Sequence, residues 1–216
     1  MLKITIKLDQ KQDISEFKHF WRTKNQTVIQ AFPHIKKESE IEDLIEECYQ
    51  NDPLLKNKVQ WLKKSLPDLQ AIANHLSVIT NESWDHINEI TIYPSVCPIC
   101  PRFLETNSFM VNYRFYRPDV LAVCAHEMTH FLYFKQLENA LGHSINKEYP
   151  SQDWMLSEIV IPCIVNHESI KEYVGYDQDV FGVDLDNQTI HAIQKLWRGD
   201  VLNYRNAGLK KLNSIN

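Results

Sequence analysis

The stretch CAHEMTHFLYF, residues 124–134, decides how this chain is read. His126 and His130 are four residues apart, and Glu127 directly follows the first histidine. On an α-helix, positions i and i+4 stand one above the other on the same face, so both imidazoles can reach one ion. Glu127 lies about 100° around the helix from His126. From there its longer side chain can reach a water on that ion without being a ligand itself. Catalytic zinc needs this set: neutral nitrogen ligands, an open position for water and a carboxylate to take the proton. The flanks argue against a chance match. An accidental HExxH belongs on an exposed, mixed helix, whereas here LAVCA precedes the motif and FLYF follows it. Two histidines and a glutamate in so apolar a helix are costly without partners, and a metal removes that cost.

Two histidines do not complete a catalytic site, which takes three protein ligands plus water. The metzincin continuation needs a glycine at position 133 and a histidine at position 136. Tyr133 and Gln136 stand there, which removes that class. Three downstream candidates remain. His143 lies just past the expected helix end and reads as a loop histidine. Asp153 stands where a helix N-cap or first-turn acid is expected. Glu158 is embedded in WMLSEIVIP, an apolar helix that should be buried, where a carboxylate needs a cation or several hydrogen bonds. Pro162 is four residues on. It removes the amide that would bond the Glu158 carbonyl and is expected to kink the helix at that turn.

HEMTH on one helix, followed by Glu158 on a second, resembles the gluzincin metallopeptidases, and is similar to small bacterial proteins carrying the motif. The resemblance covers roughly residues 90–170. It implies that His126, His130 and Glu158 bind zinc and that Glu127 is the general base. LSEIVIP departs from the NExxxD-like pattern of that family, with Pro162 where an acid would support a histidine. Gluzincins also place an edge strand beside the zinc helix, and extended substrates pair with it. NSFMVNYRFY, directly upstream, fits that role by order and pattern, so an inhibitor is expected to run antiparallel along part of 108–116.

Outward from the motif, alternation gives three strands. Leu2, Ile4, Ile6 and Leu8 share one face of LKITIKL, ITIYPS at 90–95 gives the second strand, and SFMVNYRFY at 108–116 the third. Asp119 is the expected N-cap of a helix from about Val120 to Leu141, with Gly142 as its stop. Helical spacing marks most of the chain between Phe17 and Leu76. Pro67 is expected to divide residues 54–79 into two helices and to sit in the first turn of the second. Beyond the loop at 143–151 come the Glu158 helix and NQTIHAIQKLWRG, which ends at Gly199. The fold expected is α+β and zincin-like: a small sheet packed on the HExxH helix within one domain, 1–216. Its parts are a largely helical 1–89, a metal-site core at 90–170 and a helical 171–216.

Composition bounds the partners. Lys and Arg number 23 against 28 Asp and Glu, a net charge of −5, whereas a nucleic-acid binder is normally basic. The start, MLKITIKLDQKQ, has no apolar core of a signal peptide, and no apolar run is long enough for a bilayer. The five cysteines are odd in number and scattered, as in reduced intracellular chains, so a cytoplasmic location is expected. The partner expected is a peptide or protein substrate, with no nucleic acid and no membrane. Cys97 and Cys100 form only half of a zinc ribbon, because no second pair follows at usable spacing. Peptide hydrolysis also needs an oxyanion stabiliser, for which Tyr149, Tyr173, His143 and His167 are candidates. The rival readings are a catalytically silent zincin used as a binding module, and a metal-free helical interaction protein.

Overall fold

Alternating lysine and apolar residues do form the expected first strand. In the computed structural model, which describes residues 2–214, β1 is Lys3–Ile6. The fold is α+β: ten α-helices and a four-stranded mixed sheet among the described residues. The chain separates into two compact units. One holds the chain up to Leu69 together with Ile87–Val123; the other holds Gln70–His86 and everything from Cys124 onward.

The first unit contains the sheet. β2 (Glu89–Ser95), β3 (Arg102–Phe103) and β4 (Ser108–Asn112) join β1 in the order β1-β2-β4-β3. β1 pairs with β2 and β2 with β4 in parallel, and only β3 is antiparallel. β3 is too short to be read from periodicity. β4 is therefore an inner strand. Its Ser108 and Phe109 pair with β3, and the next amide, Met110 N–H, donates to the Pro101 carbonyl at 2.9 Å. This corrects the expectation of an exposed edge for Ser108–Met110, the first part of 108–116. It also explains why all five β4 residues are buried rather than alternating, since inner parallel strands are covered on both faces. The strand ends at Asn112, whose side-chain oxygen accepts from the Arg114 amide at 2.8 Å and begins the turn.

Four helices complete this unit: α1 (Gln10–Arg22), α2 (Gln26–Ala31), α3 (Glu38–Asn51) and α4 (Pro53–Lys64). Phe17, Val28, Ile41, Ile45 and Leu55 are fully buried in one cluster with Val96 and Tyr113. Each such side chain contributes about 1.5–3 kcal/mol of hydrophobic stabilisation. Asp13 is the buried exception. Its carboxylate accepts from the Ser95 hydroxyl (2.7 Å) and from the amides of Val96 (2.8 Å) and Cys97 (3.2 Å), which ties α1 to the end of β2. Tyr49 of α3 donates to it as well, at 3.3 Å.

α5 (Leu66–Thr80) begins with Pro67 in its first turn, as its missing amide favours. α6 (Arg117–Leu141) starts three residues earlier than expected, which places Asp119 inside the first turn. It ends at Gly142, whose φ of +71° suits a residue without a Cβ. The second unit contains α6 from Cys124 on and α7 (Gln152–Val165), α8 (Glu168–Val174), α9 (Asn187–Gln194) and α10 (Val201–Asn213). α7 is capped by Ser151, whose hydroxyl accepts from the Trp154 amide at 3.1 Å. It continues through Pro162 as one helix to Val165 and packs against α9 and α10. α10 falls in the stretch 171–216 expected to be helical, though spacing had not given its bounds or those of the short α8. No helix among the described residues is long and apolar enough to cross a membrane.

Candidate metal centre

His126, His130 and Glu158 meet within the second unit. The two Nε2 atoms lie 3.1 Å apart. Glu158 of α7 reaches both: Oε2 is 3.2 Å from His126 Nε2, and Oε1 is 3.3 Å from His130 Nε2. The i, i+4 spacing on α6 aligns the imidazoles, and α7 brings the carboxylate across to them. Among the described residues, this is the one group of three or more His, Cys, Asp or Glu side chains arranged so that it could hold a metal ion.

The donor set fits an ion. At nitrogen and oxygen bond lengths of about 2.0–2.2 Å, tetrahedral donors stand about 3.3 Å apart, the separation found here. Two imidazoles and a carboxylate can present lone pairs to one point while their total charge stays at −1. The group is buried unequally. The His130 side chain is 0% exposed, Glu158 5% and His126 14%, so His126 marks the side from which solvent reaches the cluster. His130 is further held by Phe134, one turn on, whose ring stacks at 5.8 Å with planes 11° apart. Burial pushes the Glu158 carboxyl up, but the facing His130 and His126 imidazoles outweigh it and hold the group well below the usual carboxylate range. Glu127, beside His126 in the sequence, is also buried, at 7% exposure.

The other two ligand candidates lie elsewhere. Asp153 is in the first turn of α7 and receives both arms of Arg205 from α10, Nε at 2.6 Å and Nη2 at 3.0 Å. Residues 171–216 were expected to be helical, but nothing in the sequence pattern singled out Arg205 as the partner of Asp153. His143 is exposed, with Nδ1 2.9 Å from the Ser144 carbonyl. Cys97 is buried and Cys100 half-buried, and neither belongs to the metal-holding group. Desolvation pushes the Cys97 thiol up, away from the thiolate form that binds metals. Of the oxyanion candidates, Tyr149 is 72% exposed and packs edge-on against Trp154. His167 is the N-cap of α8, and Tyr173 lies beside His75, ring centroids 6.2 Å apart. No protein-family model, no curated protein and no solved structure matches the chain.

Proposed function

We propose that this chain is a cytoplasmic, zincin-like, zinc-dependent hydrolase of peptide bonds, with His126, His130 and Glu158 as the ligands. The observation that carries the reading is the convergence of two imidazole nitrogens and a carboxylate at 3.1–3.3 Å, with Glu127 next to the first ligand. Two nitrogens and one carboxylate oxygen form the donor set of catalytic zinc with one position left for water. When bound, zinc supplies a Lewis acid for the scissile carbonyl and a water of lowered pKa.

The chain's own residues supply the rest. Glu127 accepts a proton from the attacking water and passes it to the leaving amine. Glu158 remains an anion and balances the charge of the site. His130, fixed by burial and by the Phe134 ring, holds one ligand direction while His126 faces the side open to water. The substrate is a peptide or protein.

The test combines elemental analysis with a peptide-library cleavage screen on the wild type and on Glu127→Gln. Zinc in both proteins with cleavage only in the wild type supports the proposal. Zinc in both with no cleavage in either favours a silent zincin-like binding module. No zinc after reconstitution removes both readings and leaves a helical interaction protein.

A further inference from the structure

Apart from the metal cluster, the second unit has a depression of about 550 Å³, within the range of about 300–1,000 Å³ typical of ligand clefts. His75, Val78 and Ile79 of α5 line one side, and His167, Trp197 and Arg198 line the other. The lining includes no acid, on a chain that carries a net charge of −5. The nearest acids in sequence are turned away or stand outside it. Asp200 accepts from the amide of Asn203 at 2.8 Å and from its side chain at 3.0 Å, as the cap of α10. Glu168 is exposed and is not part of the lining.

Arg198 gives the lining a permanent cation. Arg198 spends one N–H on the Trp197 carbonyl at 2.7 Å, and among the described residues no carboxylate pairs with it. His167 Nδ1 accepts from the Ser169 amide at 3.3 Å, which places the proton of the neutral ring on Nε2, the other nitrogen. The apolar part of the lining is Val78, Ile79 and Trp197, with Val78 80% exposed and open to a ligand.

We propose that this depression binds the C-terminal end of a peptide: a free carboxylate on Arg198 and His167, with an apolar last side chain on Val78, Ile79 and Trp197. Charge complementarity selects an anion, and a guanidinium fork matches a planar carboxylate. The apolar lining of Val78, Ile79 and Trp197 selects an organic acid over a small inorganic anion. The site is separate in its residues from the metal cluster, and the proposal does not rest on the metal reading.

The test is nuclear magnetic resonance titration of the isotope-labelled full chain, following the Trp197 indole and the Gly199 amide. The probes are N-acetyl-leucyl-phenylalanine as free acid, the same compound as its C-terminal amide, and inorganic phosphate. The free acid should bind at least about tenfold more tightly than the amide, since each uncompensated charge-assisted contact is worth that factor or more. Arg198→Gln should bring acid and amide to equal, weak binding. Val78→Asp, at an exposed position that leaves folding intact, should abolish binding of the acid. Equal binding of acid and amide to the wild type, no binding of either, or binding of phosphate as tight as the free acid would each overturn the proposal.

Discussion

Glu158 Oε1 lies 3.3 Å from His130 Nε2, so a carboxylate from the middle of α7 meets a fully buried imidazole of α6. Glu158 also reaches His126 through its other oxygen. A buried acid held between two imidazoles is costly unless a positive charge is shared among them, and a divalent ion meets that need better than one proton does.

The metal content follows first. The purified chain should hold about one zinc, as one three-ligand site requires. His126→Ala and His130→Ala should each lose it. Elemental analysis after reconstitution checks this, and retention of a full equivalent by either variant contradicts the ligand set.

For the base, Glu127→Gln keeps the shape and removes the proton acceptor. Zinc content should be unchanged and turnover should fall by a factor of about 10² or more, the scale of losing a general base. Steady-state kinetics at saturating zinc decides it: undiminished turnover would take the base role away from Glu127.

The third ligand separates Glu158 from its neighbours. Glu158→Gln should weaken zinc sharply, and should stabilise the metal-free protein because it removes a buried charge. His143→Ala and Asp153→Asn should change zinc affinity by at most about 10–100-fold, the range of outer-shell changes. Asp153→Asn should instead lower stability by about 1–3 kcal/mol, because Arg205 loses its paired acceptor on α7. Competition with a chelator measures the affinities and denaturant unfolding the stability. A larger zinc effect at Asp153 than at Glu158 would reverse the assignment.

Packing of α7 on α10 gives a further test at Gly208. A Cβ there would stand 2.6 Å from Leu156 Cδ2, and Leu156 is fully buried. Gly208→Ala gains helix propensity of about 0.8–1 kcal/mol but overpacks by about 1–3 kcal/mol, so net destabilisation is expected. In a Leu156→Val background the cost should shrink. Urea midpoints for the four proteins of the cycle check the coupling, and strict additivity would contradict it.

The buried Asp13 carboxyl predicts a pH dependence. Desolvation raises its pKa in the folded state above 3.8, despite the bonds from Val96, Ser95 and Cys97. The folded form then binds the proton more tightly than the unfolded chain. The corresponding stability is fully present below the unfolded pKa and is lost as pH rises through the folded one. Wild type should therefore lose stability relative to Asp13→Asn as pH rises above about 4, the unfolded carboxyl range, and through the raised folded value. Denaturant unfolding across that range checks the sign, and a constant difference would contradict it.

The local elements were legible in the sequence because their signals are local. Alternation in LKITIKL and ITIYPS gives strands by side-chain periodicity, and Pro67 and Gly142 punctuate helices through backbone constraints that need no partner. The burial of Glu158 was legible too, since WMLSEIVIP leaves no polar face for it to occupy. Tertiary structure alone decided the rest. NSFMVNYRFY alternates like a half-exposed edge, yet Arg102–Phe103 pairs with its Ser108 and Phe109, because a two-residue strand is defined by its partner and not by a pattern of its own. Asp153 and Glu158 are both acids of α7, five positions apart. One meets Arg205 and the other meets His126 and His130. Helical rotation aims them differently, but only the packing of α10 and α6 around α7 supplies the guanidinium for one and the imidazoles for the other. Charges separated in sequence acquire partners through non-local burial, which no single-segment periodicity encodes.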